Sequence, residues 1–262
     1  MEYKASQLVK LRNTSAEDTD LLLPTGLVLL GYRGSIAHGM YLDPDKPESF
    51  DDRDLMGVSI PPIENYFGLK YFEQKEVQLN EWDSVTYELK KYIRLLLKSN
   101  PNVLSLLWLK DQFYIYRDSI GASLIENRDW FISKRIYKSY TGYAYSQLKR
   151  MVHGERYGYM GEKRKSLVQK YGYDCANAAH CIRLLRMGTE CLSTGELFVY
   201  RDDAPQLVEI KTGKWTLEQV KAEAEHQFKR AEDAFDHCKL PNEPNAKKAE
   251  QWLVEVLSGH FY

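Results

Sequence analysis

Residues 27–58 read LVLLGYRGSIAHGMYLDPDKPESFDDRDLMGV, and this stretch decides the fold. It opens with an apolar run, Leu27 to Leu30, that predicts a short strand, followed by the turn Gly34-Ser35. The small-residue run Ile36-Ala37-His38-Gly39 can start a helix. A polar loop then leads to Asp52-Arg53-Asp54 and a second apolar run, Leu55 to Ile60. Carboxylates at i and i+2 on a strand project from one face, because strand side chains alternate. A pair of hard oxygen ligands suits Mg²⁺ that also holds substrate phosphates. A Gly-Ser turn leading into a helix offers free backbone N–H groups to an anion. Together they point to phosphoryl or nucleotidyl transfer.

The surrounding pattern is α/β. Trp82 to Tyr87 reads as a strand, with Asp83 at its start as a third carboxylate and Glu88, just past it, as the reserve. Leu89, Tyr92, Ile93, Leu96 and Leu97 trace a helical face. Asn100-Pro101 stops that helix, and a further helix over 102–109 is expected with Asn102 as its cap. Tyr71 to Leu79 alternates weakly, as an edge strand does. Strands and helices alternating over 27–109 predict a mixed sheet. The pattern turns helical from about Phe131: an amphipathic helix over 134–152, a glycine-rich connection over 154–161, a helix over 174–192 capped by Asp174, and a charged helix over 216–238 capped by Thr216. Residues 197–200 and 207–210 read as a small hairpin, 249–257 as a closing helix, and 111–127 as a linker. The expected division is 1–115 for an α/β domain and 116–262 for a mainly helical one.

Composition narrows the class. Hydrophobic residues at 44% with 28% charge exclude a disordered chain, and no apolar run reaches membrane length. The first residues lack the apolar core of a signal peptide, so the expectation is a cytoplasmic protein. Cys175, Cys181, Cys191 and Cys238 have no C-x-x-C spacing; buried reduced thiols are the simpler reading than a zinc site of Cys175, His180, Cys181 and His237. Net charge is −1, yet Lys134, Arg135, Lys138, Lys149, Arg150, Arg156, Lys163, Arg164, Lys165 and Lys170 face only Glu155 and Glu162 over 131–170. Tyr137, Tyr140, Tyr143, Tyr145, Tyr157 and Tyr159 interleave them, and cations with aromatic faces suit single-stranded or irregular RNA.

In Gly34-Ser35, Asp52-x-Asp54 and Asp83 the sequence resembles the nucleotidyltransferase superfamily of DNA polymerase β. The segments GSIAHG, NPNVL and YD-x5-H-x2-RLL look like the predicted nucleotidyltransferases found beside RNA ligases, over nearly the whole chain. The long gap between Ser35 and Asp52 departs from the pattern and implies a surface loop over 41–50. Cys175 stands where family members often have lysine. The resemblance implies a polymerase-β-like palm with a mixed sheet, followed by the helical domain. It implies Asp52, Asp54 and Asp83 as catalytic ligands of Mg²⁺ (or Mn²⁺), with an NTP held by Gly34, Ser35, His38, Tyr173, His180 and Arg183. In that arrangement Arg183 would hold triphosphate and Tyr173 would stack on a base. The plain alternatives are a packed His38 and a buried His180–Arg183 pair behind a capped helix. The implied reaction moves NMP from NTP to a hydroxyl, with an RNA end as acceptor. Adenylylation of a protein or small molecule, and a silent nucleotide- or RNA-binding module, remain open.

Overall fold

The computed structural model describes residues 24–42, 51, 53–79, 82–153 and 162–262. Asp52, the expected lead-in through Leu23, the loop residues 43–50 and the glycine-rich connection 154–161 lie outside the described residues.

Five strands form one mixed sheet: β1 (Leu27–Tyr32), β2 (Arg53–Ser59), β3 (Gln74–Leu79), β4 (Trp82–Glu88) and β5 (Tyr114–Arg117), in the order β3-β4-β2-β1-β5. β2 and β4 run parallel, and the other neighbours are antiparallel. β1 and β2 are apolar almost without alternation because both faces are covered. Leu27, Leu30, Leu55, Trp82 and Ile115 pack on one face, while Val28, Leu29, Met56, Val58 and Val85 enter the main core on the other. β3 alternates exposed and partly buried residues, as an edge strand does, and carries Lys75 and Glu76.

The helices, in chain order, are α1 (Gly34–Ala37), α2 (Glu64–Phe67), α3 (Leu89–Leu97), α4 (Pro101–Leu104), α5 (Ser119–Glu126), α6 (Arg135–His153), α7 (Glu162–Tyr171), α8 (Cys175–Thr194), α9 (Ala204–Lys211), α10 (Leu217–His237) and α11 (Ala246–Phe261). α3 buries Leu89, Tyr92, Ile93 and Leu96, the face its spacing predicts. The cap of α4 is Asn100 rather than Asn102: its side chain accepts the N–H groups of Asn102 at 3.1 Å and Val103 at 3.3 Å. Pro101 dictates this, since proline lacks an N–H and fits the first helical position. One turn of α-helix then gives way to a 3₁₀ segment, Ser105–Trp108.

Two further expectations are overturned. The segment read as a linker forms β5, which pairs with β1, and then α5. Asp118 caps α5 by accepting the Gly121 N–H at 2.9 Å, and Gly121 lies so close to the Val28 carbonyl that a Cβ would collide with it. The expected hairpin is absent as well. Residues 204–211 are the helix α9, with Ala204, Leu207 and Ile210 buried at a spacing of three that suits a helix and not a strand.

The helical region is built on α8, buried along most of its length and packed by α6, α9 and α10. Asp174 caps it through the Asn177 N–H at 3.0 Å, and Gly195 closes it in the left-handed conformation. Thr216 caps α10 in a reciprocal pair with Gln219. All four cysteines are free and buried, and the described residues form no cluster of His, Cys, Asp or Glu suited to a metal. A continuous hydrophobic core runs from Val28 in the sheet to Trp252 in α11. The fold is a mixed α/β sheet followed by a mainly helical C-terminal region.

Candidate active site

β1 ends at Tyr32 and the chain turns through Arg33 into α1. The Arg33 N–H donates to the Asp54 carbonyl at 2.9 Å, which fixes this turn to the start of β2. Gly34 has φ +61°, and a Cβ there would collide with Asp54 Oδ2. Glycine is therefore required on two counts: the left-handed backbone and the close approach of the carboxylate.

In the parallel β2–β4 ladder Asp54 is paired with Asp83. Two carboxylates on adjacent strands repel unless a cation stands between them. Here the cation is Arg33, whose Nη2 lies 3.5 Å from Asp54 Oδ1 and 3.2 Å from Asp83 Oδ2. Glu88 is at the far end of β4, paired with Ser59. Its carboxylate caps α3 through Lys90 and Lys91, both at 2.8 Å, and accepts the Tyr66 hydroxyl at 2.6 Å. Of the two candidates for a third acid, Asp83 stands beside Asp54 and Glu88 does not.

Asp54 opens onto a cleft of about 430 Å³ between the sheet and the helical region. One wall holds Arg33, Gly34, Ser35, His38, Asp51 and Asp54, and the other Asn177, His180, Arg183 and Lys211. His180 and Arg183 share a face of α8, three residues apart. Asp83 reaches this site through Arg33 rather than by lining the cleft.

Arg183 is 7% exposed. Its Nη1 lies 3.2 Å from the Met187 sulfur, and no carboxylate comes within ion-pair distance of it among the described residues. Burial, with the charge of Arg201 adding to it, lowers its pKa to about 10. A buried cation without a carboxylate is costly, and it favours an anion that enters the cleft.

His38 Nδ1 donates to the Val199 carbonyl at 2.8 Å. Burial, then the charge of Arg183 3.5 Å away, hold the imidazole well below its usual pKa. The folded protein therefore keeps His38 neutral, while the unfolded chain takes up a proton below about pH 6.5. Its contribution to stability is complete above that pH and is lost as pH falls toward the folded value. His38→Gln should flatten this limb of the profile, as measured by urea midpoints from pH 7 downward.

Tyr173 is not part of the wall. It is buried beside the start of α8, and its hydroxyl donates to the Trp215 carbonyl at 2.7 Å. Asp52 lies outside the described residues. The sequence reading missed Lys211, Asp51, Asn102 and Asn177, all of which line the cleft. Lys211 Nζ pairs with Asp51 Oδ1 and lies 3.3 Å from the Met40 carbonyl. No local pattern announces that pair.

Among solved structures, a nucleotidyltransferase-like protein from Exiguobacterium sibiricum is similar, with 11% identity, 93% of this chain and 78% of that one covered, and a TM-score of 0.30. No curated protein matches the chain. The family model of the RNA repair pathway DNA polymerase beta family matches residues 4–255. By that match, which spans almost the whole sequence, the chain belongs to this family of polymerase-β-type nucleotidyltransferases.

Proposed function

We propose that the protein transfers a nucleoside monophosphate from an NTP to the hydroxyl of an RNA end and releases pyrophosphate. The observation that carries this reading is the pairing of Asp54 with Asp83 on parallel strands, beside the Gly34-Ser35 turn and across the cleft from Arg183. Side-by-side carboxylates that share the Arg33 guanidinium suit a hard divalent cation, so Asp54 and Asp83, with Asp52 two residues before Asp54, would hold Mg²⁺ or Mn²⁺. When bound, the ion neutralises phosphate charge and makes the acceptor hydroxyl more acidic.

The chain's own residues supply the rest. Ser35 offers its hydroxyl and N–H to a phosphate at the start of α1, and Arg183 offers a desolvated positive charge. The acceptor oxygen forms a bond to the α-phosphorus while the bond to the pyrophosphate oxygen breaks. A carboxylate of the Asp54–Asp83 pair takes the hydroxyl proton. For the acceptor, the family description names RNA repair. α6 adds an exposed Tyr145 with Lys149 Nζ 4.6 Å from its ring centroid, and an exposed Lys138 two turns earlier.

Labelled NTP with Mg²⁺ or Mn²⁺ and total RNA should place label in RNA. Label in protein or a small molecule would favour that acceptor instead, and nucleotide binding without transfer would indicate a silent module. If phosphates are contacted by residues 131–170, RNA affinity should fall at least about tenfold between low and moderate salt. Affinity indifferent to salt would remove that face from the interface.

A further inference from the structure

Lys211 is a buried ammonium that the proposed chemistry does not use. We propose that Lys211 and Asp51 form a positioning pair that fixes the polypeptide leading into the acid-bearing strand. The inference rests on the nucleotidyl-transfer reading for what the strand does, and on geometry for the rest.

Lys211 is the last residue of α9, whose Leu207 and Ile210 are anchored in the helical core. From there Nζ reaches Asp51 Oδ1 and the Met40 carbonyl, 3.3 Å away. The other oxygen of Asp51 accepts the Leu42 N–H at 2.8 Å. Met40 in turn donates its N–H to the Ser35 carbonyl at 2.8 Å. One ammonium and one carboxylate thus tie together the segment after the Gly-Ser turn, the approach to β2 and the helical region. Asp51 stands three positions before Asp54, so a shift at Asp51 passes directly into the acid pair.

Energetics favour positioning over stabilisation. The Lys211 and Asp51 side chains are 7% and 8% exposed, and taking both charges out of water is costly. Apolar residues of similar volume often hold a fold as well or better. α9 is also secured without this pair: Arg201 bonds Glu190 and Asp203, and Arg186 bridges Asp203 and Glu223 at 2.8 and 2.6 Å. What Lys211 adds is the direction of the Asp51 carboxylate.

The test uses the full chain with Lys211→Met, Asp51→Asn and the double variant, which removes both charges of the pair. Two readouts are needed: amide exchange at Leu42, and kcat and KM with labelled NTP. Each single variant should speed Leu42 exchange at least about tenfold and lower kcat about 10- to 100-fold, with KM within about threefold. The double variant should be no worse than either single one, as expected for two groups acting as a unit. Unchanged Leu42 exchange in Lys211→Met overturns the proposal. So does a raised KM at constant kcat, the sign of a direct substrate contact, or losses that multiply in the double variant. If the wild-type protein transfers nothing to any acceptor, the functional reading fails, and Leu42 exchange still decides the pair.

Discussion

Asp54→Asn is expected to lower nucleotidyl transfer by at least about 10³-fold while the protein stays folded. Asparagine keeps the shape of the side chain beside Gly34 and removes the charge that a divalent cation needs. The Asp54 and Asp83 side chains are 25% and 43% exposed, and partly exposed ion pairs of this kind contribute about 0–1 kcal/mol. Thermal unfolding should therefore shift little. Asp83→Asn should give a loss of similar size. The double variant should be barely worse than either single one, because the two groups act on one reacting centre. Single-turnover incorporation of labelled NMP measures this directly. Transfer that survives Asp54→Asn at the wild-type rate would take the β2–β4 acids out of the mechanism.

Arg183→Met carries the second large effect, and its two readouts move in opposite directions. The guanidinium is buried against Met187 and His38, with no carboxylate at ion-pair distance among the described residues, so its removal relieves an unfavourable burial. The unliganded protein should melt at the same temperature or slightly higher. NTP affinity should fall about 10- to 100-fold, the range for losing a hydrogen bond to a charged group. Calorimetric titration and melting curves with and without NTP separate the two. A residue that served only the fold would do the reverse, lowering the melting temperature and leaving affinity intact.

The sequence exposes those parts of the site whose signals are local. Gly34-Ser35 and the strand beginning near Arg53 show because turn chemistry and apolar runs are local properties. The caps at Asp174 and Thr216 show for the same reason. That Asp83 rather than Glu88 meets Asp54 depends on a parallel register, which only the folded sheet fixes. Lys211 and Asp51 are separated by 160 positions, so nothing in either neighbourhood signals the other. The resemblance puts Tyr173 at the cleft, but it precedes the first turn of α8 and its hydroxyl donates to the Trp215 carbonyl. α9 misled because Leu207, Val208 and Ile210 are β-compatible residues whose spacing of three was outweighed by their bulk. β5 escaped notice because YIYR is only four residues long and lies between a 3₁₀ turn and a helix.

That short strand has a consequence for the growing polypeptide. Leu29, Leu30 and Gly31 of β1 find their outer partners only in Arg117, Tyr116 and Tyr114. Until those residues leave the ribosome, one of the most apolar segments in the molecule presents a bare row of amide donors and acceptors. A fragment cut ahead of Tyr114 would keep that border open for good. It should self-associate edge to edge rather than persist as a miniature enzyme.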